Sequence, residues 1–123
     1  MENNIFQAEV NQLIEVGNYI YKQLGHGCQE NVYKEVLELE LELRNIPYSR
    51  NKKSDPNTQN NTETFVCFDK ILVELNTHLF LSEDQENIFR NSLTDVDPPI
   101  GLLFNFGNKN LQYIKVFEQC IYQ

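Results

Sequence analysis

The sequence predicts an α/β domain with its elements in the order ααββαββ. Apolar residues recur at helical spacing in the N-terminal segment and again ahead of Pro47. Two short runs, Phe65-Val66-Cys67-Phe68 and Ile71-Leu72-Val73-Glu74-Leu75-Asn76, are β-branched, aromatic or apolar and flank the turn-prone pair Asp69-Lys70. After the break at Asp97-Pro98-Pro99 comes a mostly apolar run, Ile100 to Phe106, which reads as a further strand.

From Asn4 to Leu24, the positions Val10, Leu13, Ile14, Ile20, Tyr21 and Leu24 share a helical face, with Asn3 or Asn4 placed to cap. Gly25-His26-Gly27 ends this helix, because glycine takes the left-handed turn that follows a helix at least cost. A second helix is expected over about 29–45. Its stretch Leu37 to Leu43 alternates Leu with Glu at period two, which by itself favours a strand. Leu and Glu are nevertheless strong helix formers, and Val32, Tyr33, Val36, Leu37 and Leu41 share one helical face. Asn45-Ile46-Pro47 closes it, since the residue before a proline is pushed out of helical geometry. Residues 49–63 are nearly all polar and are expected to form a long loop. A third helix is expected from Ser82, a cap residue with Gln85 at the capping-box position, to about Leu93. Gly107-Asn108 then separates the Ile100 run from a last strand, Gln112 to Phe117.

At 123 residues the chain is expected to be one domain, 1–123, able to bury a core without staples. Cys28, Cys67 and Cys120 are odd in number and widely spaced, and with His26 and His78 as the two histidines neither a zinc site nor a disulfide framework is expected. No long apolar run and no basic, apolar leader is present at Met1-Glu2-Asn3-Asn4, so the expectation is a soluble intracellular protein, cytoplasmic or nuclear, without a membrane partner. The sequon Asn60-Asn61-Thr62 is accordingly read as chance. A formal charge of −8 opposes polyphosphate, so a protein partner or a second copy is favoured over nucleic acid. The basic cluster Arg50, Lys52 and Lys53 is the place where nucleic acid would bind.

Three segments in register, Gly27-x-x-Glu30-x-x-Tyr33, Asp69-Lys70-Ile71-Leu72-Val73-Glu74-Leu75 and Gly101-Leu102-Leu103-Phe104-Asn105-Phe106-Gly107, resemble the GxxExxY protein family, a compact branch of the PD-(D/E)XK nuclease superfamily. The resemblance runs over about 16–117. It implies a PD-(D/E)XK nuclease-like core, a small mixed sheet flanked by helices, in which divalent metal promotes phosphodiester hydrolysis. Carried over by position, Glu30 matches an acid on the helix before the sheet, Glu74 the acid of the (D/E)-x-K pair, and Gln85 a glutamine of the following helix. Magnesium takes hard oxygen ligands, commonly one or two carboxylates with waters and phosphate oxygens, while a lysine stabilises developing charge.

This chain departs from the pattern at two charged positions. Ten residues before Glu74, where the metal-binding aspartate belongs, stands Thr64, and two residues after it, where the lysine belongs, stands Asn76. The family builds a longer hairpin ahead of that aspartate, where the stretch 49–63 reads as a shortened polar loop, and Phe89 stands where an aromatic hydroxyl is expected. Glu63, Asp69 and Asp84 are the nearby acids that could replace the missing ligand. Losing one charge-stabilising donor commonly costs about 10²–10³ in rate. The expectation is therefore a divergent, catalytically degenerate nuclease-like domain with a binding or structural role in an assembly and no cofactor. The alternative is a metal-dependent nuclease whose site is rearranged around Glu30, Glu74 and Gln85 and takes Mg²⁺ or Mn²⁺.

Overall fold

A computed structural model describes residues 6–55, 60–93 and 100–117. Helix α1 spans Gln7–Leu24 and buries Val10, Leu13, Val16, Gly17 and Ile20. Gly17 has to lack a side chain, because a Cβ there would lie 2.5 Å from Cζ of Phe104 on the sheet beneath. The helix ends at Gly25, whose positive φ of 66° is one that glycine adopts at least cost. Phe6 stands at the N-cap, and the caps expected at Asn3 or Asn4 lie outside the described residues.

Helix α2, Glu30–Leu43, buries Tyr33, Lys34, Leu37 and Leu41. Its C-terminus is a Schellman closure: the Asn45 N–H donates to the Glu42 carbonyl (3.1 Å) and the Ile46 N–H to the Leu41 carbonyl (2.9 Å), with Asn45 at φ 58°. The Gly27-x-x-Glu30-x-x-Tyr33 motif has a structural use here. Gly27 adopts φ 103°, and the Tyr33 hydroxyl donates to the Gly25 carbonyl at 2.6 Å while accepting from the Cys28 N–H at 3.3 Å. The Tyr33 ring stacks on Phe106, with centroids 4.5 Å apart, so one residue ties the turn between the helices to the sheet.

Strands β1 (Tyr48–Asp55), β2 (Asn60–Cys67), β3 (Ile71–Asn76), β4 (Ile100–Asn105) and β5 (Gln112–Phe117) form one sheet in that order. All neighbours are antiparallel except β3 and β4, which run parallel and are joined through helix α3, Glu83–Ser92. The α/β class and mixed sheet are as expected, but the element order is ααβββαββ. The expected loop over 49–63 is instead the hairpin of β1 and the first part of β2, in register from Tyr48–Cys67 to Asp55–Asn60. β1 is an edge strand, and an edge strand needs backbone pairing more than an apolar pattern, which is why a polar sequence concealed it. Phe68 and Asp69, at φ 56° and 63°, are the two central residues of a primed turn closed by the Lys70 N–H on the Cys67 carbonyl.

Side-chain alternation assigns the two sheet faces. Phe65, Cys67, Ile71, Val73, Leu75, Ile100, Leu102 and Phe104 join the core beneath α1 and α2. Val66, Leu72, Leu103 and Val116 pack with Phe89 of α3 and its C-cap Leu93 on the other face. No described helix is long and apolar enough to cross a membrane.

Candidate functional site

A pocket of about 180 Å³ opens at the C-terminal end of β3, between that strand and α3, and is lined by Glu74, Asn76, His78, Gln85, Ile88, Phe89 and Leu103. The alternation that buries Val73 and Leu75 under α2 turns Glu74 and Asn76 toward α3. One step along the ladder from the Phe65–Val73 pair, Thr64 stands on the neighbouring strand on the same face as Glu74 and is buried at 8% exposure. Three of the sequence-expected site positions, Glu74, Asn76 and Gln85, thus line one cavity, with Thr64 beside it.

Gln85 also has a local task. Its backbone N–H donates to the Ser82 hydroxyl (3.1 Å) and its side-chain oxygen accepts from the Ser82 N–H (2.9 Å), completing the capping box that starts α3. Its amide oxygen therefore reaches the pocket already engaged.

The pocket mouth is fixed by a residue whose role the sequence did not reveal. Asn105, fully buried, accepts from the His78 N–H (2.8 Å) and the Gly107 N–H (3.3 Å), and donates to the Gln112 side-chain oxygen (2.9 Å). Gln112 in turn accepts from the Leu81 N–H at 3.2 Å. The Asn108 amide donates to the Leu79 carbonyl at 2.6 Å, and the Phe106 N–H to the Asn76 carbonyl at 2.8 Å. The loop from β3 to α3 is thereby fastened to the β4–β5 connection. The Gly101-to-Gly107 motif makes this docking possible: a Cβ on Gly107 would overlap the His78 and Thr77 carbonyls, and one on Gly101 would press on Phe89 and Leu93. The signal in the sequence was an asparagine inside an apolar strand, which is unfavourable unless its amide is fully bonded.

Glu30 is not among the residues lining this pocket. It pairs with Lys34 at 2.9 Å, and Lys34 also reaches Glu63 at 3.5 Å. Glu63 follows the parity of Phe65, toward α2, so the sheet stands between this group and Glu74. Lys34 is a further residue that sequence reading passed over, although its i,i+4 spacing from Glu30 was legible. Glu63, weighed as a replacement ligand, is held on the α2 side by Lys34 and by Arg50 at 2.9 Å. Asp69 lies in the primed turn at the opposite end of β3, and Asp84 is exposed in the first turn of α3.

Arg50, one of the three basic residues considered for nucleic acid, is surrounded by carboxylates: Glu63, Glu38 at 2.8 Å and Glu35 at 3.1 Å. These partners, Glu63 foremost, raise its pKa further above the ordinary arginine value. Its guanidinium also lies 5.3 Å over the Phe65 ring. Nearby, the Tyr48 hydroxyl shares its proton between Glu42 (2.6 Å) and Glu38 (2.9 Å), and burial together with those carboxylates drives its pKa up. The side chains of Lys52 and Lys53 lie outside the described residues.

The family model of the PD-(D/E)XK nuclease superfamily matches residues 7–117, and the chain belongs to that superfamily. No curated protein and no solved structure matches it.

Proposed function

We propose that this chain is a divergent, catalytically degenerate member of the superfamily, of the GxxExxY type, that acts by binding within an assembly rather than by cleaving phosphodiesters. The observation that carries this reading is the pocket's donor set: among the described residues Glu74 is its one carboxylate, Asn76 takes the place of a lysine, Thr64 stands beside it in place of an aspartate, and the Gln85 oxygen is engaged in a helix cap. One carboxylate is the fewest that magnesium or manganese commonly takes, and with no lysine at position 76 this lining offers no ammonium to stabilise developing charge. Among the described residues no three His, Cys, Asp or Glu side chains come together as a metal site. The aspartate and lysine that the superfamily's metal chemistry implies beside Glu74 are replaced here by Thr64 and Asn76. A formal charge of −8 and the internal engagement of Arg50 favour a protein partner or a second copy over nucleic acid.

One observation favours the second reading, a metal-dependent nuclease with a rearranged site. Glu30, Lys34 and Glu63 gather two carboxylates and an ammonium on the α2 side, and Glu30 is open to solvent at 43% exposure. Incubating the purified protein with duplex DNA, single-stranded DNA and RNA in Mg²⁺ or Mn²⁺ separates the readings. The expected result is no appreciable cleavage. Metal-dependent cleavage that Glu74→Gln abolishes would restore the Glu74 pocket as an active site, and cleavage that survives Glu74→Gln but not Lys34→Met would assign it to the Glu30 group.

A further inference from the structure

The period-two run of leucines in α2 has a consequence at the molecular surface. Helical geometry sends Leu37 and Leu41 into the core and leaves Leu39 and Leu43 outside, at 54% and 67% exposure, in line with Val32 at 40%. These three residues fall at i, i+7 and i+11, on one stripe facing away from the sheet. A single exposed apolar residue is ordinary, but three aligned on the solvent side of a helix whose other side is already buried leave a continuous apolar stripe open to water.

The charge around the stripe decides what would cover it. Glu35, its side chain 63% exposed, and the exposed Glu42 flank one side, and Glu40 flanks the other. The helix carries Glu30, Glu35, Glu38, Glu40 and Glu42 against Lys34 alone. Arg50 partly offsets one flank by pairing with Glu35 and Glu38, and Arg44 offsets Glu40 on the other at 3.1 Å, which leaves Glu35 and Glu42 on the more acidic flank. A second copy of the chain would set these same acids against each other and bring together two bodies of formal charge −8. We propose that the solvent side of α2 docks a basic amphipathic helix of a partner protein, its apolar residues meeting Val32, Leu39 and Leu43 and its lysines or arginines meeting Glu35 and Glu42. Helix-on-helix packing of apolar ridges with charged flanks is the geometry such a stripe serves. The surface is distinct from the Glu74 pocket, so the proposal stands whether or not that pocket cleaves nucleic acid.

The test is an amide-resolved NMR titration of the full chain with two synthetic peptides of identical Leu and Lys content. One has leucines at helical three-four spacing and the other has them scrambled. The expected result is a set of shifts centred on Val32, Leu39 and Leu43, with the patterned peptide binding about tenfold or more tightly than the scrambled one and weakening with added salt. Leu39→Gln with Leu43→Gln, both at exposed positions, should remove at least about tenfold of that affinity while leaving the urea midpoint unchanged. Shifts centred elsewhere, equal binding of the two peptides, or undiminished binding by the double variant would overturn the proposal. So would a dimer of the chain that the same two substitutions dissolve, because the stripe would then belong to a second copy. If the double variant does not fold, the shift map and the peptide comparison on the parent chain decide alone.

Discussion

Replacing Asn105 by alanine removes the junction that fastens the β3–α3 loop to the β4–β5 connection. Two accepted bonds are lost, from the His78 and Gly107 N–H groups, along with one donated bond to Gln112. A typical hydrogen bond contributes about 0.5–1.5 kcal/mol net, so three give about 3 kcal/mol. The site is fully buried, and donors left without partners there cost about 1–3 kcal/mol each, which takes the upper end to about 5 kcal/mol. Against a domain stability of about 5–15 kcal/mol, Asn105→Ala should lower the melting temperature by about 10–20 °C. Urea unfolding read by circular dichroism gives the stability change, and hydrogen exchange at the His78 and Leu81 amides locates it. Asn110→Ala, at an exposed position, is the control and should stay within about 0.5 kcal/mol of the parent. A loss below about 1 kcal/mol with unchanged protection at His78 would refute the assignment of Asn105 as the junction.

Gly107→Ala should destabilise by about 2 kcal/mol or more, because its Cβ meets backbone carbonyls that cannot rotate away; a melting curve matching the parent would show that the loop yields freely. Burial pushes the Cys67 thiol from 9.0 up to about 12, so the folded chain keeps a proton that the unfolded chain gives up. Stability conferred by that group is therefore fully present below pH 9.0 and lost as pH rises toward about 12, with a slope of about 1.4 kcal/mol per pH unit that Cys67→Ala should remove from urea titrations across the window. The double change Thr64→Asp with Asn76→Lys should fold and bind Mn²⁺ more tightly than the parent, since the aspartate adds a hard ligand beside Glu74 and the lysine offsets the added charge. Calorimetric titration of both proteins checks this, and unchanged affinity in a folded double variant would mean that Thr64 and Asn76 do not stand at metal positions.

What the sequence determined by itself was what neighbouring residues settle among themselves. The Ser82–Gln85 capping box, the positive φ of Gly25 and the end of α2 ahead of Pro47 all rest on interactions within a few residues, and each is found where it was expected. Membership of the superfamily was legible too, because three motifs fall in order along the chain, and two of them contain residues that brace the turns: Tyr33 between the helices, and Asn105 with Gly107 at the pocket mouth. Tertiary structure alone decided the rest. β1 exists through pairing with β2, a contribution of backbone groups that no side-chain pattern announces. Glu30 and Glu74 both carry carboxylates to the sheet, yet a strand turns successive side chains to opposite faces, so Glu63 joins Glu30 through Lys34 while Glu74 meets Gln85 on the other side. Which acids share a site is set by strand parity and helix placement, and those depend on contacts between segments far apart in the chain.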